Sequence, residues 1–350
     1  MGYVSFLVKK TIIYFTVLFA TMTILYIFTF PVLQEVILKS INFQVAQFTQ
    51  VLLRHETNVN VTLLNEKIQQ YKEYLIASYG LNQPIIVRYF IQMYDLLTFH
   101  FGDAYFIQAP SGSREVSAII TYYLPNTILL FTTSTIIYII VGTLIGLLSA
   151  KSRFWEKVIG VIAVVHSSIP TWWLGFILIA ALAYGVKLFP PGGMTSVPPP
   201  KNPIDYGLSV MYHMVLPFLS IFIVNVGGFA YIVRSLVTTT MKEDFVMTAR
   251  ARGLPESRVL YKHVLRTASP SIATQAILAL AASMAGGLTT EVVFEWPGVG
   301  YLTYVSIMVD DLPVILGVTY VLTIVLLVGL FLGELVYGLL DPRIKVGEEG

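Results

Sequence analysis

The sequence predicts an all-α protein that crosses a lipid bilayer six times. Apolar residues make up 56% of its 350 residues, and the mean hydropathy is +0.74. Charged residues make up 12%, about half of the roughly 25% that is typical of soluble domains. Several apolar stretches reach the roughly 20 residues that a helix needs to cross a hydrocarbon core. So few charges cannot cover a water-exposed surface, so lipid is the main solvent of this chain.

Six stretches have the length and composition of membrane spans, which we number 1 to 6. In chain order they run over Thr11–Leu33, Leu124–Ala150, Val158–Tyr184, Met211–Leu236, Ser271–Phe294 and Pro313–Leu340. Lys9 and Lys10 precede span 1, as basic residues precede a secretion signal. The apolar run is longer than that of such a signal, and no small-x-small cleavage site follows Pro31. We therefore expect span 1 to be a retained helix.

The distribution of Lys and Arg predicts that both ends of the chain are cytoplasmic. With the N-terminus inside, the inner segments carry fourteen of the 22 basic residues. Of the remaining eight, only Lys187 and Lys201 lie in a short outer loop, which is the kind of loop where this bias sets orientation. An even number of spans returns the chain to the inner side, so 341–350 is expected to be a cytoplasmic tail.

Residues 34–123, between spans 1 and 2, are far more polar and predict a small extracytoplasmic domain. Within it, Leu63–Tyr79 is expected to be a helix that ends at Gly80, and Pro84–Phe99 a second helix with proline near its start. The sequon at Asn60 makes that residue a candidate for glycosylation, if the cell glycosylates exported chains.

The second outer loop, Gly185–Val210, is rich in proline and glycine. Its Pro190-Pro191-Gly192-Gly193 run and its three consecutive prolines from Pro198 exclude helix. We expect this loop to be a rigid, extended cover over the outer face of the core, which comprises residues 124–340.

The inner segment 237–270 predicts a helix–turn–helix pair. A helix over Lys242–Arg252 is expected to stop at Gly253, and Pro255 is well placed at the first turn of a helix that continues to Ala268. Small side chains leave the tip nearly bare, so another protein could approach it closely. A solvated loop whose basic residues only fix topology explains the same residues equally well.

Polar residues inside the predicted spans are candidates for function, because ionisable groups are costly there. Glu334 in span 6 is expected to reach the inner interface or to pair with Arg234. His166 in span 3, near Pro170, either lines a polar pathway or is hydrogen-bonded in a packed kink. Asn225 in span 4 marks either a helix contact or a break that faces a pore.

The outer ends of spans 5 and 6 carry four acidic residues. They are Glu291, Glu295, Asp310 and Asp311. These carboxylates predict a negative rim around an outer mouth, although solvated helix ends explain them equally well.

Several classes of function are excluded. The chain has no cysteine, which rules out disulfides, cysteine-ligated zinc, iron–sulfur clusters and a thiol nucleophile. It has no Gly-x-x-x-x-Gly-Lys-Ser/Thr loop and none of the His-Glu-x-x-His or Gly-x-Ser-x-Gly motifs of membrane or soluble hydrolases. The net charge of +2 gives no basis for nucleic-acid binding. We expect neither a metal nor a cofactor in this chain.

The tip Ala249-Arg250-Ala251-Arg252-Gly253-Leu254, followed by Val259–Arg266 and Pro270, resembles the cytoplasmic loop of ABC importer permeases. The likeness is closest to the first permease of the oligopeptide/dipeptide type. Other stretches match in the same order: Tyr79–Pro84, Phe101–Asp103, Leu124–Thr127, Phe189–Gly193, Glu291–Gly300, Asp311–Pro313 and Asp341–Arg343. Met247 and Thr248 stand where the family pattern has Glu and Ala, so a salt bridge from that Glu is not expected.

The resemblance implies a non-catalytic permease subunit of an ATP-driven importer in the cell membrane. Implied partners are a second homologous permease, two ATPase subunits that bind ATP and Mg²⁺, and an extracellular solute-binding protein. The tip would dock into an ATPase subunit, and Glu291, Trp296, Pro297 and Gly298 would form part of an outer gate or loop. The alternative, an ion-coupled secondary transporter, would need midplane carboxylates and usually an internal repeat. The sequence shows no repeat, and Glu334 lies near one face.

Overall fold

The computed structural model describes residues 3–55, 61–150 and 153–340. Within these ranges the regular elements are helices, and extended pairing is limited to one isolated bridge between Asp103 and Glu115. The α-helices are α1 Tyr3–His55, α2 Val61–Ser78, α3 Ile85–Leu97, α4 Val116–Ser149, α5 Arg153–Ser167, α6 Thr171–Leu178, α7 Pro203–Thr240, α8 Asp244–Ala251, α9 Glu256–Arg258, α10 Leu265–Ser283, α11 Leu288–Val293, α12 Val299–Met308 and α13 Leu312–Leu340. Two π-helical segments, Ile179–Gly185 and Val259–Val264, continue α6 and α9.

Four helical stretches in the described residues are long and apolar enough to cross a membrane. They are Val8–Val32 of α1, the whole of α4 and α7, and Leu312–Leu335 of α13. These four coincide with spans 1, 2, 4 and 6. The sequence therefore located the longest apolar helices correctly.

Span 3 is not one straight helix. The chain bends by 88° between Lys157–His166 and Thr171–Gly185, so the pair is either one broken span or a re-entrant loop. The break lies at Pro170, which has no backbone N–H and disfavours helical geometry in the residue before it.

The prediction of a continuous span 5 over Ser271–Phe294 is wrong. Helix α10 begins earlier, at Leu265, and ends at Ser283. Gly286 then adopts a φ of +70°, a left-handed conformation that suits glycine and interrupts the helix. The chain resumes as the short helix α11, so the residues up to Phe294 form a separate outer segment.

Two other helix boundaries in the structure differ from the predicted ones. Helix α1 continues well past Leu33, to His55. Helix α7 begins at Pro203, inside the predicted extended loop, because Asn202 caps it by accepting a hydrogen bond from the Ile204 N–H at 3.1 Å. The prediction that helix is absent up to Val210 is therefore wrong for the last eight residues of that loop.

The helices form two compact units. The larger unit takes Ala118–Val305 together with the chain up to Tyr14 and from Val321 onward. In it α4 packs on α7 through glycine: a Cβ on Gly146 would lie 2.7 Å from the Ala230 carbonyl oxygen. The Gly142-x-x-x-Gly146 spacing is typical of such close helix packing.

The smaller unit takes Phe15–Ser117 and Ser306–Tyr320. Its helices α2 and α3 confirm the two helices expected there, and Gly80 follows α2 with a φ of +67°. Ile37 and Ile41 of α1 pack with Leu75 of α2 in a small apolar core.

Candidate functional site

The inner helix–turn–helix is present and its tip is a tight turn. Helix α8 ends at Ala251, and Gly253 adopts a φ of +75° with no atom within 4 Å of where its Cβ would be. Pro255 then precedes the first residue of α9. The conformation of Gly253 therefore favours glycine for backbone reasons, and the space around the turn is open.

One face of α8 anchors the tip to the larger unit. Val246 and Ala249 are buried and pack in a core cluster with Val259, Leu260 and Val264. Leu254 packs against the same cluster from the turn. Of the tip residues named from the sequence, Ala249 therefore faces inward, and Ala251, Arg252 and Gly253 are exposed.

An ion pair braces the turn from outside. The Arg250 guanidinium donates to both carboxylate oxygens of Glu256, from Nη2 at 2.6 Å and from Nε at 3.2 Å. A bidentate pair of this kind fixes orientation as well as distance. The Glu256 hydrogen bond also raises the pKa of Arg250, so this side chain stays charged.

Sequence reasoning missed the apolar side chains that surround the tip. Phe245, Met247 and Tyr261 are 41%, 60% and 52% exposed. Val246 and Ala249, three apart, define the buried face of α8, and Met247 falls on the opposite side, whereas Phe245 lies at the edge of the buried face, one turn before Ala249. These exposed apolar side chains lie close in sequence to the turn and to the basic residues Arg250 and Arg252.

At the opposite region of the larger unit, Glu291 organises the outer segment. Its side chain is fully buried. One carboxyl oxygen accepts a hydrogen bond from the Thr127 hydroxyl at 2.7 Å, and the other accepts from the Tyr301 N–H at 2.9 Å. The Thr127 hydroxyl in turn accepts from the Val299 N–H. Glu291 and Thr127 thus satisfy N–H groups in the first turn of α12.

The loop between α11 and α12 is held to α4 by a reciprocal pair of hydrogen bonds. The Trp296 indole N–H donates to the Asn126 carbonyl at 2.9 Å, and the Asn126 amide donates to the Pro297 carbonyl at 2.7 Å. A Cβ on Gly298 would collide with the Glu291 carboxyl group. The outer-loop residues named from the sequence therefore form one connected cluster.

The four acidic residues expected to form a rim differ in exposure. Glu295 and Asp310 are exposed, as a rim requires, but Glu291 and Asp311 are fully buried. In the smaller unit, the Asp311 carboxylate accepts three backbone N–H bonds of 2.8–3.1 Å, from Tyr105, Phe106 and Ile107. The expectation of four solvated carboxylates fails because two of them satisfy backbone donors instead.

The two candidate pathway residues, Asn225 and His166, are both partly buried. Asn225 donates to the Ile221 carbonyl at 2.7 Å within an unbroken α7. A Cβ on Gly227 would lie 2.9 Å from Ile162 and 3.1 Å from His166 Nδ1, so α5 and α7 approach closely at these residues. His166 Nδ1 is buried and has no hydrogen-bond partner. The hydrogen bond predicted for His166 is therefore not observed at this atom.

The expected pairing of Glu334 with Arg234 is wrong. Glu334 forms an ion pair with Lys10 at 3.0 Å, and both side chains are about one-third exposed. Arg234 is buried and donates to the Ser149 carbonyl. The two basic residues lie on different helices, and only Lys10 reaches the carboxylate.

Comparison with known proteins places this arrangement in a family. Residues 142–346, more than half of the chain, match the binding-protein-dependent transport system inner membrane components. The chain belongs to this family. The match spans the helix–turn–helix tip and the outer cluster around Glu291.

Two relatives extend the family match toward the N-terminus. The chain is 32% identical to the oligopeptide transport system permease protein AppB of Bacillus subtilis, over 81% of this chain and 88% of AppB. It is 33% identical to the dipeptide transport system permease protein DppB of the same organism, over 82% of this chain and 87% of DppB. The resemblance to oligopeptide and dipeptide permeases is thereby confirmed.

The fold also matches a solved ABC transporter. A chain of the MetNI methionine ABC transporter superposes with a TM-score of 0.51 over 65% of this chain and 99% of that chain, at 16% sequence identity. This likeness concerns the fold alone. The family match, the two permease relatives and the apolar helices together identify a multi-pass permease component of the plasma membrane. Asn60 and Asp341–Arg343 lie outside the described residues.

Proposed function

We propose that this chain is the transmembrane permease subunit of an ATP-driven importer and forms half of a translocation pathway for peptides. The observation that carries the proposal is the family match over residues 142–346, which includes the exposed tip. The chain itself would hydrolyse no ATP. Its part in the mechanism is to turn movement of the tip into reorientation of the spans.

The proposed topology has six spans. Four are the long apolar helices, the fifth is the bent α5–α6 pair, and the sixth is α10, which leads from the tip to the outer segment. Both ends of the chain would be cytoplasmic, residues 34–123 would form the extracytoplasmic domain, and the loop 237–270 would project inward. The excess of basic residues on the inner side supports this orientation.

The proposed assembly contains a second homologous permease, two ATPase subunits and an external solute-binding protein. ATP and Mg²⁺ would bind to the ATPase subunits only. The tip is the part of this chain best suited to meet an ATPase subunit, because Phe245 and Met247 are exposed and the space around Gly253 is open. Apolar side chains beside a positive border are typical of protein interfaces.

Peptides are the proposed cargo, and oligosaccharides are the second choice. The names of the two Bacillus subtilis relatives, which transport oligopeptides and dipeptides, support the first choice. The cargo would be delivered by the solute-binding protein, in which most of the specificity of such a system would lie.

The test is uptake of a labelled dipeptide and a labelled oligopeptide by cells that lack this chain. Restoring the chain is expected to restore uptake of at least one peptide, and depletion of ATP is expected to abolish it. Uptake that survives ATP depletion but stops when an ionophore removes the ion gradient would contradict the proposal. It would favour the ion-coupled alternative, which has little structural support because Glu334 is already paired with Lys10.

A further inference from the structure

Helix α3 in the smaller unit has one buried face and one uncovered face. Met93 and Leu96 are buried. Ile86, Phe90 and Tyr94 follow one another at intervals of four residues, so they lie along one side of the helix, and they are 66%, 61% and 67% exposed. A row of large apolar side chains on a surface in water is unusual and marks a contact with a partner or a membrane.

Tyr89 fixes the position of α3 against the first span. Its hydroxyl lies 2.7 Å from the Thr23 hydroxyl oxygen. Its ring centroid lies 5.2 Å from that of Tyr26 and 6.5 Å from that of Phe19. All three partners belong to the apolar stretch Val8–Val32. The start of α3 is therefore at the same depth as this part of the span.

In the proposed topology Val8–Val32 crosses the bilayer, and the depth of Thr23 is then inside the hydrocarbon. The midpoint of Val8–Val32 is residue 20, and Thr23 lies three residues beyond it. At 1.5 Å per residue, Thr23 is about 5 Å from the middle of the span. Half of the hydrocarbon thickness is about 15 Å. This estimate does not depend on which end of the span faces the cytoplasm.

Of the two charged residues of α3, Arg88 is directed away from the middle of the membrane, and Asp95 is partly buried within the smaller unit. The Arg88 guanidinium lies over the Phe30 ring, 4.8 Å from its centroid. Phe30 is two residues from the end of the span, so the charge is carried toward the membrane surface. An apolar face combined with a basic side chain at headgroup level is the pattern of helices that lie in a membrane interface.

We propose that α3 is an interfacial helix embedded in the bilayer, with Ile86, Phe90 and Tyr94 in contact with lipid acyl chains. In the proposed topology this is the outer leaflet. Lipid fits better than a soluble partner, because a soluble protein does not reach the depth of Thr23. The same span exposes Ile27 and Phe28, at 62% and 75%, as lipid-facing helices do.

The absence of cysteine from the chain allows a direct test. Single cysteines are introduced by Ile86→Cys, Phe90→Cys and Tyr94→Cys and carry a nitroxide label. Gln70→Cys on the exposed surface of α2 is the control for water, and Met93→Cys is the control for a protein-covered site. The complete transporter is reconstituted in vesicles of phosphatidylethanolamine and phosphatidylglycerol. Collision of each label with oxygen and with a polar nickel chelate is then measured.

We expect the ratio of oxygen collisions to chelate collisions to be several-fold higher for labels at positions 86, 90 and 94 than for the label at position 70. Frequent chelate collisions at the three positions would overturn the proposal, because they would place α3 in water. Low collision rates with both reagents, as at 93, would also overturn it and would indicate that a second permease covers the face. Three positions are used so that one poorly assembling variant does not decide the test. The proposal does not depend on the cargo.

Discussion

Glu291 caps a helix to which it does not belong. Its carboxyl group accepts the Tyr301 N–H in the first turn of α12 and the Thr127 hydroxyl; Glu291 and Thr127 are fully buried, and Tyr301 is partly buried. A buried donor that loses its acceptor costs about 1–3 kcal/mol. Glu291 is therefore one of the side chains that hold the outer cluster together.

We expect Glu291→Gln to lower the free energy of unfolding of the purified protein by about 1–3 kcal/mol, and therefore to lower its thermal transition temperature. The amide group offers one acceptor oxygen, and its NH₂ group opposes one of the two donors. Glu295→Gln is the matched control, because Glu295 is exposed. Equal transitions for the two variants would show that the buried hydrogen bonds contribute nothing to stability.

Asp311 has a comparable role in the smaller unit, where its carboxylate accepts three consecutive backbone N–H groups. Asp311→Asn replaces one acceptor oxygen with a donor, so we expect faster proteolysis within the segment 105–107 in detergent. Asp310→Asn, at an exposed neighbour, is expected to leave the rate unchanged. A similar rate in Asp311→Asn and the wild type would contradict the role assigned to this carboxylate.

At the scale of helices, α5 and α7 approach closely where Gly227 has no side chain. A Cβ on Gly227 would meet Ile162 and His166 at about 3 Å, whereas a Cβ on Gly228 would meet nothing within 4 Å. Gly227→Ala is expected to destabilise the protein by about 1–3 kcal/mol through overpacking. Gly228→Ala is expected to be neutral or stabilising by up to about 1 kcal/mol, since alanine favours helix.

Thermal unfolding of these two neighbouring variants in the same detergent checks the expectation. The packing predicts that Gly227→Ala unfolds at a lower temperature than the wild type. It also predicts that Gly228→Ala unfolds at the same temperature as the wild type or at a higher one. The reverse order would mean that α5 and α7 are not in close contact at this point.

Gly253 has two properties that matter at the tip: its backbone is left-handed, and it has no side chain. Two substitutions separate the effects of these properties. Asparagine tolerates a positive φ, whereas valine does not, so Gly253→Val is expected to lose about 1–3 kcal/mol of stability and Gly253→Asn much less. If the bare turn docks on an ATPase subunit, both variants transport less peptide per ATP hydrolysed. Full transport by a stable Gly253→Asn variant would exclude docking at the turn itself.

The sequence predicted those elements that depend on local composition. Spans 1, 2, 4 and 6, the α8 turn and the two helices of the polar domain follow from apolar length, glycine and proline. The failures at spans 3 and 5 have a common cause: a count of apolar residues does not register the backbone breaks at Pro170 and Gly286. The start of α7 was missed because Asn202-Pro203 was taken as part of a proline-rich loop.

Side-chain partners were the least predictable part of the site. Glu291 meets a threonine 164 residues earlier, and Glu334 meets a lysine 324 residues earlier. No local pattern contains such a pairing, so the burial of Glu291 and Asp311 could not be inferred from their places at helix ends. The exposure of Met247, in contrast, could be inferred from the periodicity of α8, because it lies opposite the buried Val246 and Ala249.

At the scale of the whole molecule, the described residues include long apolar helices, an exposed helix–turn–helix tip and a segment capped by Glu291. The chain carries no nucleotide-binding loop in its sequence. In the proposed function, energy for transport enters from an ATPase subunit, and the tip is the place best suited to receive it. The central claim is therefore that this chain works in an assembly with other protein chains.

The most direct test is purification of the chain from its native membrane in mild detergent, with mass spectrometry of the proteins that accompany it. We expect an ATPase, a second permease of the same family and a solute-binding protein that still holds a peptide. Recovery of the chain alone in several detergents, from membranes that show active uptake, would contradict the assignment as a subunit of an ATP-driven importer.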